Sequence, residues 1–164
     1  MPDTLYMQFP ISVLLHNVRS IHNVGSIFRT SEAAGVEKIY LSGYTPAPTD
    51  RFGRKRKDIK KTALGAENML PWEKIGPPSG VIAKLKKDGW AVVGVEQDTR
   101  AIDYRKCTVR KPTLFVFGNE VRGIPSVLRA KCETLVEIPM HGKKESLNVS
   151  VVAGIVLFRA VDSH

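Results

Sequence analysis

The chain has 164 residues and 43% hydrophobic content, enough to build one domain whose core needs neither disulfides nor a structural metal. Its formal net charge of +9 suits a polyanion, nucleic acid or an anionic membrane surface, and charge alone does not choose between them. A membrane span would need roughly 18 or more consecutive apolar residues; the longest run, around Val149 to Phe158, is shorter and contains Gly154, so a soluble protein with no membrane partner is expected.

Met1 to Pro10 lacks the charged start, apolar stretch and small-residue cleavage site of a secretory signal, which makes the cytoplasm the default expectation. Cys107 and Cys132 form no CxxC pair and no histidines cluster near them. Reduced structural thiols and no metal are expected.

The first apolar, β-branched run is Ile11 to Leu15. After it, Val24, Ile27, Phe28 and Ser31 share one helical face within Asn23 to Ala34, and Gly35 stands where a left-handed stop is easiest. A second strand-like run, Lys38 to Leu41, leads into a stretch from Gly43 to Lys61 without strand or helix periodicity. That stretch carries Arg51, Arg54, Lys55, Arg56, Lys57, Lys60 and Lys61. These are either a solvated face or phosphate contacts, and with the net charge we favour the second.

Further along, a helix fits Ser79 to Lys87, strands fit Ala91 to Val95, Thr113 to Phe117 and Thr134 to Ile138, and a short helix opening with proline fits Pro125 to Lys131. The last helix, about Ser146 to Val161, is apolar nearly all round. It is either buried within the domain or turned toward a second copy, and a self-complementary homodimer is the simpler expectation. Strands alternating with helices predict an α/β fold with a mainly parallel sheet. With no repeat and no linker, a single catalytic domain over 1–164 without a separate RNA-binding domain is expected.

Three polar clusters follow strands, where open α/β sheets place ligands: Asn23 to Arg29, Gly118 to Gly123, and Met140 to Asn148. Glycine directly after the run ending at Phe117 lets backbone approach a ligand, with Glu120 beside it, although an ordinary glycine-rich turn would look the same. Ser146 and Asn148 can cap the last helix and still serve a site. Arg29 interrupts an apolar-faced helix; alone it could be a surface arginine. His16, His22 and His141 are scattered and read as structural or RNA-contacting residues rather than an acid–base or metal set.

The combination resembles the SpoU/TrmH family of RNA methyltransferases. Asn23-Val24-Gly25-Ser26-Ile27-Phe28-Arg29-Thr30 with Ala33-Ala34-Gly35 is similar to its first motif, Phe115 to Gly123 to its second, and Ile138-Pro139-Met140 with Ser146-Leu147-Asn148-Val149-Ser150 to its third. The resemblance implies a C-terminal deep trefoil knot, an exception to the rule that chains do not thread loops. It implies S-adenosylmethionine as cofactor, held at Val95, Glu96, Gly118, Asn119, Ile138, Met140 and Leu147. It also implies methyl transfer to a ribose 2′-hydroxyl of tRNA or rRNA, with a slight preference for tRNA.

By the same resemblance Arg29 is the central catalytic residue, reaching across a dimer to the partner's cofactor. An arginine stays protonated and is a poor base, so we expect it to grip a phosphate whose oxygen, or a neighbouring group, accepts the hydroxyl proton. Asn23, Glu120, Ser146 and Asn148 complete the implied site. A dinucleotide-binding fold would show GxGxxG spacing after an early strand, whereas here His16-Asn17-Val18-Arg19 follows it. A non-catalytic RNA-binding module would explain the charge but not this set of polar residues.

Overall fold

Residues 9–163 are described by a computed structural model. In it the five expected runs and two short additions become strands: β1 (Ile11–His16), β2 (Lys38–Ser42), β3 (Trp72–Lys74), β4 (Ala91–Val95), β5 (Ile102–Asp103), β6 (Thr113–Phe117) and β7 (Thr134–Glu137). They form one sheet in the order β3-β2-β1-β6-β4-β7-β5, and every pairing is parallel.

Alternation along the central strands divides the apolar side chains between two cores. Val13, Leu15, Phe115 and Phe117 face one side, with Val24, Ile27 and Phe28 of α1 (Ile21–Ala33), Ile59 of α2 (Lys57–Ala63), Ala66 of α3 (Ala66–Met69), and Val156 and Leu157 further along the chain. Leu14, Leu114 and Val116 face the other side, against Ile82 and Leu85 of α4 (Ser79–Lys87) and Leu128 of α5 (Ser126–Arg129). A parallel sheet covered on both faces needs such continuous apolar strands. The two cores explain why the runs were legible.

Helix α1 starts earlier than its apolar pattern suggested, because the Ser20 hydroxyl accepts the Asn23 N–H at 3.3 Å and caps it. Its end is as expected: Gly35, at φ 77°, lets the Gly35 and Val36 N–H groups turn back to the Glu32 and Ser31 carbonyls.

The stretch from Gly43 to Lys61 is not all loop. Its last part is helix α2, which packs so closely on α1 that a Cβ on Gly25 would sit 1.9 Å from Thr62 Oγ1 and 2.7 Å from the Ile59 carbonyl. Only Ile59 and Ala63 are buried in it, too few for a visible period.

The final helix, α6 (Val149–Asp162), begins at Val149 rather than Ser146, since Asn148 Oδ1 accepts the Ser150 N–H at 2.9 Å and sets the cap. It packs beside α1, with Gly154 within 3.6 Å of Thr30 Cγ2 for an ideal Cβ. Ala153, Val156, Leu157 and Ala160 are buried, while Val151 and Phe158 remain 47% and 44% exposed. Two turns apart, these two mark one outward apolar stripe. Among the described residues, no helix is long and apolar enough to cross a membrane.

Candidate active site

The carboxyl ends of β4, β6 and β7 and the start of α6 enclose a cleft of about 480 Å³. Val95, Phe117, Val136, Ile138, Leu147 and Val152 supply its apolar lining. Of the residues expected to hold a cofactor, Val95, Glu96, Gly118, Asn119, Ile138, Met140 and Leu147 all line it, as do Glu120, Ser146 and Asn148 of the expected catalytic set. Asn23 stands behind this wall, and Arg29 is not part of it.

The wall after β6 is a closed turn. Asn119 and Gly123 exchange backbone hydrogen bonds of 3.1 and 2.9 Å, and Asn119 Oδ1 accepts the N–H groups of Val121 and Arg122. A Cβ on Gly118 would lie 2.4 Å from the Gly123 carbonyl carbon, so glycine is required by the chain's own fold, whatever a ligand adds. Gly123, at φ 67°, abuts the Glu96 carboxylate, which accepts the Ile124 N–H at 2.6 Å. The side chain of Glu96 is thereby spent on the turn, and its backbone N–H on the Val136 carbonyl at 3.0 Å.

Glu120 is the junction of the three polar clusters. Its carboxylate accepts the N–H groups of Arg19 and Ser20 at 3.1 and 3.0 Å and the Asn23 amide at 3.1 Å. Asn23 Oδ1 in turn accepts the Asn148 amide at 3.1 Å. Burial alone would raise the Glu120 pKa, but the Ser20 N–H and the Asn23 amide outweigh it and hold the carboxyl below its ordinary value. An anion at the first turn of α1 is also favoured by the helix dipole.

Arg29 lies six residues beyond Asn23, about 9 Å along the axis and on a different side of the helix. It is exposed, and among the described residues no hydrogen bond or ion pair engages its side chain. The chain alone therefore gathers Asn23, Glu120 and Asn148 into one network and leaves Arg29 outside it. Ser146 reaches the cleft from an exposed segment.

Two features escaped the sequence reading. Gln97 lines the cleft and donates to the Glu145 carbonyl at 2.7 Å, tying the segment before α6 to the end of β4. Beside the cleft, and sharing Asn119, Glu120 and Val121 with it, an open groove is lined by Arg19, Ser20, Tyr44 and Arg122. The Tyr44 hydroxyl accepts the Asn119 amide at 3.0 Å. Neither Arg19 nor Arg122 has an acidic ion-pair partner among the described residues. No periodicity or motif marks Arg19, Tyr44 or Gln97; Arg122 stands inside the second cluster, Gly118 to Gly123, but was not among the expected site residues.

The basic residues all reach the surface. Arg51, Arg54 and Lys55 lie on a hairpin loop and Lys57, Lys60 and Lys61 on α2, while Arg54 pairs with Asp50 at 2.8 Å and Arg56 with Asp58 at 3.3 Å. Among the described residues no three His, Cys, Asp or Glu side chains group as a metal site. His16 bonds to the Ser42 hydroxyl at 2.8 Å, and burial with Lys74 nearby lowers its pKa. Both cysteines are free, and burial raises both thiols, that of Cys132 to about 11.

Comparison with known proteins bears on this geometry. The family described as SpoU rRNA Methylase matches residues 10–158. The 23S rRNA (guanosine-2'-O-)-methyltransferase RlmB of Ralstonia nicotianae is 34% identical over 152 residues, covering 93% of this chain and 58% of the relative. The tRNA (guanosine(18)-2'-O)-methyltransferase of Aquifex aeolicus is 31% identical over 153 residues, covering 93% and 69%. The crystal structure of the SpoU methyltransferase AviRb from Streptomyces viridochromogenes in complex with the cofactor AdoMet superposes with a TM-score of 0.81 at 26% identity, over 93% of this chain and 57% of that one. The chain spans little more than half the length of most curated relatives it matches.

Proposed function

Because the chain belongs to the SpoU family of RNA methylases, we propose that it transfers a methyl group from S-adenosylmethionine to a ribose 2′-hydroxyl of tRNA or rRNA, acting as a homodimer. The observation that carries this is the single hydrogen-bond chain from Glu120 through Asn23 to Asn148 along the edge of the cleft. It joins all three polar clusters, which packing alone would not require.

The cleft suits the cofactor. Its volume falls in the range of small-molecule sites, about 300–1,000 Å³. Val95, Ile138 and Leu147 offer apolar contact for an adenine, and Glu137 and Glu145 line the cleft with no ion-pair partner among the described residues. Free carboxylates match a ligand bearing a sulfonium and an ammonium. When bound, S-adenosylmethionine supplies an electrophilic methyl group.

What remains for the protein is to place an oxygen in line with that methyl and to relieve it of its proton. The groove beside the cleft, with Arg19 and Arg122 free to meet phosphates, admits the substrate nucleotide. Arg29 acts from the partner subunit: it stands exposed on α1, and α1 packs against α6, whose outward stripe of Val151 and Phe158 is available for a second copy. There its guanidinium holds a phosphate and stabilises charge while a phosphate oxygen or a neighbouring group takes the hydroxyl proton.

One continuous sheet supports treating the chain as a single catalytic domain, and the knotted threading of its C-terminal half and a cytoplasmic location belong to the same proposal. Incubation with labelled S-adenosylmethionine and total RNA from a strain lacking the protein, then nuclease digestion and mass spectrometry, is expected to yield one 2′-O-methylated nucleoside. Label on a base would overturn the ribose assignment. Titration of the cofactor without heat would leave a non-catalytic RNA-binding module instead.

A further inference from the structure

The loop between β2 and α2 is built to hold one aromatic ring in solvent. Thr49 and Lys55 pair across it as an antiparallel bridge. Inside, Asp50 Oδ1 accepts the N–H groups of Phe52 and Arg54 at 2.8 and 3.0 Å, and Asp50 Oδ2 accepts Arg54 Nε at 2.8 Å. Backbone bonds from Gly53 to the Asp50 carbonyl and from Asp50 to the Arg54 carbonyl, each 2.9 Å, close the turn, and Gly53 takes the φ of 78° that it needs. Phe52, at its tip, is 67% exposed. The guanidinium carbons of Arg51 and Arg54 lie over its ring, 4.8 and 5.1 Å from the centroid.

A single exposed apolar side chain is ordinary. Here, however, the backbone on both sides of Phe52 is fixed by a buttressed turn, and the ring contributes nothing to either core. Burial did not select its place. What a ring that stays 67% exposed with two guanidinium groups over it offers is a combined aromatic and cationic surface for another flat π system, with cations at hand for the charge that accompanies it.

We propose that Phe52, with Arg51 and Arg54, is a stacking platform for one unpaired base of the RNA substrate. This rests on the RNA-methylating function above and adds a preference to it. Bases in a duplex have their faces covered by their neighbours, so the platform selects a loop, bulge or end. Arg51 has no acidic ion-pair partner among the described residues and takes an adjacent phosphate, while Asp50 keeps Arg54 against the ring. The exposed lysines 57, 60 and 61 extend the positive surface along α2.

The test compares full-length wild type, Phe52→Ala, Phe52→Trp and Arg51→Ala in binding two labelled RNAs of equal length, one a hairpin with an unpaired loop and one a blunt duplex. Phe52→Ala is expected to bind the hairpin between about fivefold and 150-fold more weakly, the range for losing one stacked base, with duplex affinity and salt slope unchanged, because a neutral ring releases no counterions. Arg51→Ala should instead lower the slope on both RNAs by about one. Phe52→Trp should retain hairpin affinity and show fluorescence quenching on binding beyond any change that Trp72 and Trp90 give in wild type. Equal losses on hairpin and duplex, or no loss on the hairpin, would overturn the platform alone. Failure of wild type to bind either RNA would overturn the RNA function with it. Intact RNA binding with an altered sedimentation coefficient in Phe52→Ala would assign the ring to a protein contact and end the proposal.

Discussion

Two segments face each other across the cleft, and they are held very differently. Residues 118–124 are locked from within, by the paired Asn119 and Gly123, and from behind, by the Glu96 and Glu120 carboxylates. Residues 139–148 have no regular structure and are exposed from His141 to Asn148. The cross-links holding them are the Gln97 amide on the Glu145 carbonyl and the Asn148 amide on Asn23. One side of the cleft is thus preformed, while the other is tied down near Glu145 and Asn148 and little before them among the described residues. Local opening free energies follow such differences in buried contact and hydrogen bonding. Binding of a cofactor should therefore order the second segment and leave the first unchanged.

The largest effect should come from disturbing the locked side. In Gly118→Ala the new methyl meets Gly123 backbone at 2.4 Å and cannot be relieved by a side-chain rotation. A loss of about 3 kcal/mol in urea unfolding is expected, at the upper end for overpacking, together with loss of cofactor binding. Nearly unchanged stability would mean that the turn is not rigid. Arg29→Ala touches neither side of the cleft and should separate chemistry from architecture: turnover falls by about 10²-fold, the scale of a general acid–base contribution, while calorimetry finds cofactor affinity and melting temperature retained. Near wild-type turnover would remove Arg29 from the mechanism.

Glu120→Gln should cost about 2 kcal/mol, since one face of the amide presents N–H groups to donors that a carboxylate satisfies. Its pH dependence has a definite sign. The folded-state pKa lies below the unfolded one, so this stabilisation is complete above the ordinary glutamate pKa of about 4.3 and is lost as pH falls through the lowered folded value. Wild type should lose stability in that acid window more steeply than Glu120→Gln. Parallel profiles would show that Glu120 is not the titrating junction.

The difference between the two segments also marks what could be read in the sequence. The runs at Ile11, Lys38, Ala91, Thr113 and Thr134 were legible because a sheet covered on both faces selects strands that are mostly apolar, with few polar positions such as Ser12. Strands β3 and β5, three and two residues long, hold too little pattern to find. Helix α2 is polar at all but Ile59 and Ala63. The polar clusters were visible as clusters, and family resemblance supplied their common purpose. The reason they meet, the Glu120 carboxylate spanning about a hundred residues to Arg19 and Ser20, depends on strand order, which periodicity does not encode. Gly118 was legible as a glycine near a ligand, yet its strictest constraint is the chain's own backbone. Phe52 and Gln97 carry no signal apart from their surroundings.

The smallest effects should arise on the exposed side, and they discriminate most finely. Gln97→Ala removes one half-solvated hydrogen bond and should cost about 0.5 kcal/mol. Gly142→Ala adds a methyl with nothing within 4 Å and should stay within about 0.5 kcal/mol of wild type. Both substitutions leave the preformed side intact, so their effects should be confined to residues 139–148. Amide exchange in that segment should quicken in Gln97→Ala without cofactor, slow in wild type when S-adenosylmethionine is added, and slow less in the variant. If the exchange of 139–148 in wild type is as slow without cofactor as with it, the second segment is as fixed as the first. The asymmetry of the cleft would then have no dynamic consequence.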